Sequence, residues 1–302
     1  MAKVARPRRS VLYMPGSNTR ALEKARNLSA DALIFDIEDA VAADSKVEAR
    51  KNILAAIEQG GYGYREIIVR INGFGSPWGY EDLVAVCGSG ADAVLLPKVE
   101  SPDMVRQAET VMAAHGARPE MQLWAMMETP LGMLHSEAVA GSSPRLTCLV
   151  MGTSDLAKDL HASHTQDRMP MLTSLGLCLL AARAYGLDIL DGVHLDLRDD
   201  EGLAYSCRQG ADMGFDGKTL IHPRTIEIAN EAFSPSPEEV EWSHKIIAAH
   251  AEAMAQGKGV AVFEGKLIEA LHVENANRIV SLSAAIAEQE AETAAKQQAV
   301  AE

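Results

Sequence analysis

Ala32-Leu33-Ile34-Phe35-Asp36-Ile37-Glu38-Asp39-Ala40-Val41 begins as an unbroken apolar run and ends in a cluster of carboxylates. A strand covered on both faces loses the usual polar–apolar alternation, so Leu33, Ile34 and Phe35 read as buried strand. Asp36, Glu38 and Asp39 then crowd negative charge at its end. Like charges this close destabilise a fold unless a cation or a donor compensates them. Metal-dependent chemistry gives a reason to gather them.

The same pattern repeats outward along the chain. Apolar runs at 10–14, 32–37, 66–71, 93–96, 122–127, 148–151, 189–195 and 219–221 read as strands, with amphipathic helical stretches at 20–28, 46–59, 102–115, 169–185 and 201–213 among them. About eight strand–helix units in succession point to a (β/α)8 TIM barrel, an α/β fold, although an open doubly wound sheet has similar local patterns. No Gly-x-Gly-x-x-Gly follows the first strand, which removes the main support for dinucleotide binding. The strand ends carry the chemistry: Pro15-Gly16-Ser17, Glu38-Asp39, Arg70 with Asn72, Lys98 with Glu100, Glu128-Thr129, Gly152-Thr153-Ser154-Asp155, Asp196 and His222. A barrel brings all of these to one face, where such enzymes keep their active sites.

The chain has 302 residues, 47% of them hydrophobic, and a net charge of -14. That supports a full core and argues against nucleic-acid binding, which calls for a basic face. The basic run from Lys3 to Arg9 is followed by no apolar segment, so neither a signal peptide nor a membrane span is expected. Cys87, Cys148, Cys178 and Cys207 show no metal or redox spacing and read as reduced cysteines of a cytoplasmic protein.

A break comes at Phe233-Ser234-Pro235-Ser236-Pro237, because two prolines so close stop a helix and stiffen the connection. Residues 1–233 are expected to form the catalytic barrel and 234–302 a small cap. The cap reads as a helix over 238–255, a turn at Gly257-Lys258-Gly259, a hairpin of 260–263 and 266–268 around Glu264-Gly265, and a last helix from Val273 that frays towards Glu302.

Glu128 and Asp155 are the candidate metal ligands. Two carboxylates without a His or Cys partner suit a hard ion such as Mg²⁺, with Mn²⁺ as the alternative. Each could instead cap the helix that follows it. Asp36, Glu38 and Asp39 could hydrogen-bond metal-bound water, or pair with Arg50 or Arg70, or cap the helix after Asp44. Arg70 could grip a substrate carboxylate and stabilise an oxyanion, or serve a structural ion pair. Arg20 and Lys24, after the Pro15–Arg20 loop, suit phosphate. His161 and His164 have no third His or Cys nearby and read poorly as ligands.

The motifs Arg9-Ser10-Val11-Leu12-Tyr13-Met14-Pro15-Gly16, Asp36-Ile37-Glu38-Asp39-Ala40-Val41, Val69-Arg70-Ile71-Asn72 and Leu96-Pro97-Lys98-Val99-Glu100 occur in one order. Met127-Glu128-Thr129-Pro130, Gly152-Thr153-Ser154-Asp155-Leu156 and Gly214-Phe215-Asp216-Gly217-Lys218-Thr219-Leu220-Ile221-His222-Pro223 continue it. Together they resemble the citrate lyase β-subunit-like family of the HpcH/HpaI aldolase superfamily, which includes malyl-CoA and citramalyl-CoA lyases. The resemblance implies a homotrimer, or a dimer of trimers, in which each cap closes over a neighbouring subunit's active site. It implies Mg²⁺ on Glu128 and Asp155, an oxo-acid contact at Arg70, and CoA near Arg20 and Lys24, with Thr153 and Ser154 lining the substrate. The family's acid/base carboxylate on the cap falls at Glu269, where the family pattern carries aspartate, and Asp39 is a further catalytic candidate.

The activity implied is reversible carbon–carbon cleavage of a malyl-, β-methylmalyl- or citramalyl-CoA thioester to acetyl- or propionyl-CoA plus an α-keto acid, glyoxylate or pyruvate. The alternatives are a citrate lyase β subunit releasing oxaloacetate, a malyl-CoA thioesterase, and a non-catalytic scaffold. The scaffold predicts missing metal carboxylates, and both are present. Substrates that differ by one methyl group differ by only about 1–3 kcal/mol in a pocket, so the sequence leaves the choice among them open.

Overall fold

The computed structural model describes residues 6–257 and 259–301. Lys3, Lys258 of the expected turn and the chain end at Glu302 lie outside the described residues. The chain divides into two compact units, one of Arg8–Phe233 and one from Ser234 on.

The first unit is a closed parallel barrel of β1 (Ser10–Pro15), β2 (Ala32–Asp36), β3 (Glu66–Arg70), β4 (Ala93–Leu96), β5 (Gln122–Met127), β6 (Leu146–Met151), β7 (Asp188–Asp191) and β8 (Gly217–Leu220). Pairing of β1 with β8 closes the sheet and rules out the open doubly wound arrangement. The outer helices are α1 (Thr19–Lys24), α2 (Lys46–Gln59), α3 (Gly79–Cys87), α4 (Pro102–Ala114), α5 (Pro130–Leu134), α6 (Ser136–Ala140), α7 (Thr153–Asp159), α8 (Leu172–Ala184), α9 (Asp200–Met213) and α10 (Ile226–Ala232). Local chemistry sets several boundaries. The Asp199 side chain accepts the Gly202 N–H to start α9, and Gly214, at φ 101°, ends it in the left-handed region that a side chain resists.

Strand alternation sorts the core into two layers. Val11, Ile34, Ile68, Leu95, Trp124, Met126, Val150 and Leu190 face inward and fill the barrel, while the opposite faces of the strands pack against the helices. The plug is capped by charge at both ends. Below it, the buried Arg8 guanidinium lies 4.8 Å from the Trp124 ring and pairs with Glu66 and Asp188. Conserving the same parity upward turns Asp36, Arg70, Glu128 and Gly152 towards the other mouth.

Two expectations need correction. β7 stops at Asp191 and does not run to residue 195. Asp191 is committed outward to Arg168 and Lys218, and Gly192 fits against Thr153 with no room for a side chain. Asp196 is therefore a loop residue, and Asp191 ends the strand. The helix expected over 169–185 is split into a 3-10 turn at Met169–Met171 and α8.

The second unit holds α11 (Pro237–Ala255), the antiparallel hairpin β9 (Ala261–Phe263) and β10 (Lys266–Ile268), and α12 (Ala270–Ala301). Ser236 and Glu239 form a reciprocal capping box that starts α11, with Pro237 at its first position. Glu264 and Gly265 both have positive φ, 47° and 75°, as a two-residue type I′ hairpin requires. Ile246, Ala253, Ala261, Ile268 and Ala276 form its small core. α12 begins three residues before the expected Val273, because the Glu269 carbonyl already accepts the His272 and Val273 N–H groups.

Candidate active site

Asp36 and Arg70 are register partners on β2 and β3, both turned into the barrel mouth. The Arg70 guanidinium grips Asp36 at two points, Nε to Oδ1 at 2.7 Å and Nη2 to Oδ2 at 2.6 Å. Asp36 also accepts the Glu38 and Ala40 N–H groups at 2.9 and 3.1 Å, so both its oxygens are committed. Asp36 thus braces Arg70 and folds the carboxylate loop over it. Arg50, the other cation considered for this cluster, pairs with Glu81 and Asp82.

Arg70 Nη1 lies 3.1 Å from Glu38 and 3.7 Å from Asp39. Its guanidinium rests 4.8 Å from the Tyr13 ring. Burial is the largest influence on Glu38 and pushes its carboxyl upward, with Asp39 adding to the shift and Arg70 and Lys98 opposing it. Nearby positive charge is what opposes a shift of this kind.

That charge converges one strand further on. Lys98 follows β4 with φ at 49°, a left-handed conformation costly for a side chain, and its N–H donates to Glu128 Oε1 at 2.8 Å. Its ammonium reaches Asp155 Oδ2 at 2.8 Å, Glu38 Oε1 at 3.2 Å and Glu128 Oε1 at 3.8 Å. Three carboxylates from the ends of β2 and β5 and from α7 therefore share one cation. Burial pushes Glu128 up to about 7 against the pull of Lys98. Burial also raises Asp155, but Lys98 and then Lys158 outweigh it and leave that carboxyl below its ordinary value.

Neither Glu128 nor Asp155 is a helix cap. Thr129 caps α5, its Oγ1 accepting the Gly132 N–H at 3.1 Å. Asp155 lies within the first turn of α7, beyond the strand end where the sequence reading placed it. Gly152 makes room for Glu128: a Cβ there would meet its side chain. Among the described residues no group of three or more His, Cys, Asp or Glu could hold a metal ion. The donor set is two carboxylates whose oxygens already gather round a positive charge, which fits a hard ion that keeps waters in its remaining positions.

The other sequence candidates fall as follows. Thr153 is buried beside Gly192 and Ser154 is exposed, both next to Asp155. Arg20 and Lys24 are exposed four residues apart on α1, and the Asn18 side chain accepts the Ala21 N–H where that helix starts. His161 and His164 are exposed after α7. Glu269 belongs to the second unit, exposed between β10 and α12, and its N–H donates to His272 Nδ1 at 3.0 Å. The role of Lys98 went unread in the sequence, although a lysine after Leu96-Pro97 at a strand end was the available signal. Gly152 carried no such signal.

The family model described as HpcH/HpaI aldolase/citrate lyase matches residues 9–223. A (3S)-malyl-CoA thioesterase of Cereibacter sphaeroides is 53% identical over 287 residues, covering 95% of this chain and 98% of that protein. The mitochondrial citramalyl-CoA lyase of Homo sapiens is 35% identical over 296 residues, covering 93% and 87%. Among solved structures, the protein CitE of Mycobacterium tuberculosis in complex with magnesium, acetoacetate and coenzyme A superposes with a TM-score of 0.75 at 29% identity, covering 93% of this chain and all of that one.

Proposed function

The chain belongs to the HpcH/HpaI aldolase/citrate lyase family, and from that premise we propose that it is a Mg²⁺-dependent enzyme acting on a malyl-type CoA thioester, hydrolysing it to malate and CoA. The observation that carries this reading is the 53% identity with a malyl-CoA thioesterase across nearly the whole of both chains. The convergence of Glu128 and Asp155 on one positive charge beside the buried Arg70 supports the metal. A second reading, cleavage to an acyl-CoA and an α-keto acid, is favoured by the likeness to a citramalyl-CoA lyase and to a structure holding magnesium, an oxo acid and CoA. Release of oxaloacetate from a citryl thioester is a third.

Mg²⁺ held by Glu128 and Asp155 would supply a Lewis acid that polarises the substrate's oxygens. Arg70 is braced by Asp36 so that its remaining N–H donors can bind the substrate carboxylate or a developing oxyanion. Asp39, 61% exposed at the edge of the cluster and 3.7 Å from Arg70, is the further catalytic candidate there. Thr153 and Ser154 line the acyl chain, and Arg20 and Lys24 receive the CoA phosphates. Glu269, delivered by the cap of a neighbouring subunit in a homotrimer, takes the proton of the attacking water. The water oxygen bonds to the thioester carbon, the C–S bond breaks, and Glu269 returns its proton to the departing sulfur, so that CoA leaves as the thiol. In the second reading Glu269 takes the proton of the substrate hydroxyl as the carbon–carbon bond breaks to an α-keto acid and an acyl-CoA enolate, and returns it to the enolate carbon.

The four cysteines are buried and unbridged, and among the described residues no helix is long and apolar enough to cross a membrane. The unbridged cysteines support a cytoplasmic enzyme.

The test is a product assay with purified protein, Mg²⁺ and malyl-CoA, citramalyl-CoA or citryl-CoA in parallel. Free thiol with malate and no keto acid is the expected result. Glyoxylate, pyruvate or oxaloacetate with an acyl-CoA and no free thiol would overturn hydrolysis in favour of cleavage.

A further inference from the structure

The Lys98 ammonium in the barrel mouth lies within 4 Å of oxygens of all three carboxylates, 2.8 Å from Asp155, 3.2 Å from Glu38 and 3.8 Å from Glu128. Its backbone is fixed by the N–H bond to Glu128 and by a left-handed φ, so the four-carbon arm is the part free to move. The side chain is 43% exposed and can swing towards solvent without leaving a cavity. A divalent ion needs the same carboxylate oxygens at about 2.0–2.1 Å, and a unit positive charge within a few ångströms would repel it.

Resting on the proposed metal reading, we propose that Lys98 is the resident counter-cation of this cluster and that metal uptake is an exchange, the ammonium giving way as Mg²⁺ takes its place. The metal-free site is then an internal ion cluster instead of three bare carboxylates, and the ammonium weakens the affinity of the site for the metal. Lys98 acts through Glu128 and Asp155, as a positioning residue.

The experiment is calorimetric titration of Mg²⁺ into wild type, Lys98→Met, Lys98→Arg and Glu128→Gln, with melting temperatures measured at zero and saturating Mg²⁺. Lys98→Met should bind Mg²⁺ about tenfold more tightly or better, the scale of a unit charge removed from within 4 Å in a partly wet site. Its metal-free form should melt lower than wild type, and saturating Mg²⁺ should restore most of the difference. Lys98→Arg, which keeps the charge, should stay near wild-type affinity. Equal or weaker binding by Lys98→Met would overturn the exchange. Undiminished binding by Glu128→Gln would instead overturn the metal assignment itself, so the two failures are distinguishable.

Discussion

Gly152 and Glu128 stand so close that no side chain fits between them: a Cβ on Gly152 would lie 2.3 Å from the Glu128 Cβ and 2.6 Å from its Oε2. Gly152→Ala should therefore displace the Glu128 carboxylate while leaving the barrel folded. Overpacking of this kind costs about 1–3 kcal/mol in stability, and a carboxylate moved by about 1 Å should lower kcat/KM roughly 100-fold. Circular dichroism and kinetics on the same preparation check it. A fully active, folded Gly152→Ala would show that the close approach has no functional weight.

Arg70 and Asp36 separate stability from turnover. Arg70→Met leaves a buried, committed carboxylate without its cation and should cost about 3–5 kcal/mol in urea unfolding. Arg70→Lys keeps the charge but cannot make the two-point grip, so it should unfold nearer to wild type yet lose about 100-fold in turnover. Equal loss of both properties in the two variants would mean that Arg70 serves the fold alone.

Asp191 sets an acid limit on stability. It is fully buried between Lys218, 2.8 Å from Oδ2, and Arg168, 2.7 and 2.6 Å from its two oxygens. Burial alone would raise its carboxyl, but Lys218 and Arg168 outweigh burial and hold it below the ordinary value. As pH falls the unfolded chain takes up this proton first, so the contribution is complete above the unfolded-state pKa of about 3.9 and is lost as pH drops through the lower folded-state value. Asp191→Asn should cost about 3–5 kcal/mol at neutral pH and flatten the fall in stability below pH ~4. An unchanged acid limb in that variant would remove Asp191 as its origin.

Glu269 is testable by mixing subunits. Glu269→Ala and Glu128→Ala should each be inactive alone. On the proposed placement of Glu269 in a neighbour's cap, chains of the two kinds, unfolded together and refolded as mixed oligomers, should recover up to about a quarter of wild-type activity. Absence of any recovery would confine Glu269 to its own subunit's chemistry or to none.

The barrel was legible because its strands are buried on both faces and announce themselves as apolar runs that end in polar residues. The run at 32–37 and the helix Lys46–Gln59 lie where the pattern puts them. The failures have a common cause. The sequence does not show which way a side chain leaves the strand once the strand ends. Asp196 looked like a strand end, whereas Asp191, one face over, is the residue the ion pairs commit. Asp155 looked like a strand end and lies in the first turn of α7. Lys98 reaches the carboxylates from a left-handed backbone, and Gly152 matters for the room it leaves.

The register that pairs Asp36 with Arg70 also ties the birth of the site to the closing of the sheet. A slip of one residue between β2 and β3 would turn one of the two charges outward among the helices and break the pair. A nascent or partly assembled chain therefore lacks the braced arginine, and a misthreaded barrel does not gather the site. Quality control of the fold and control of the chemistry are, at this pair of strands, the same event.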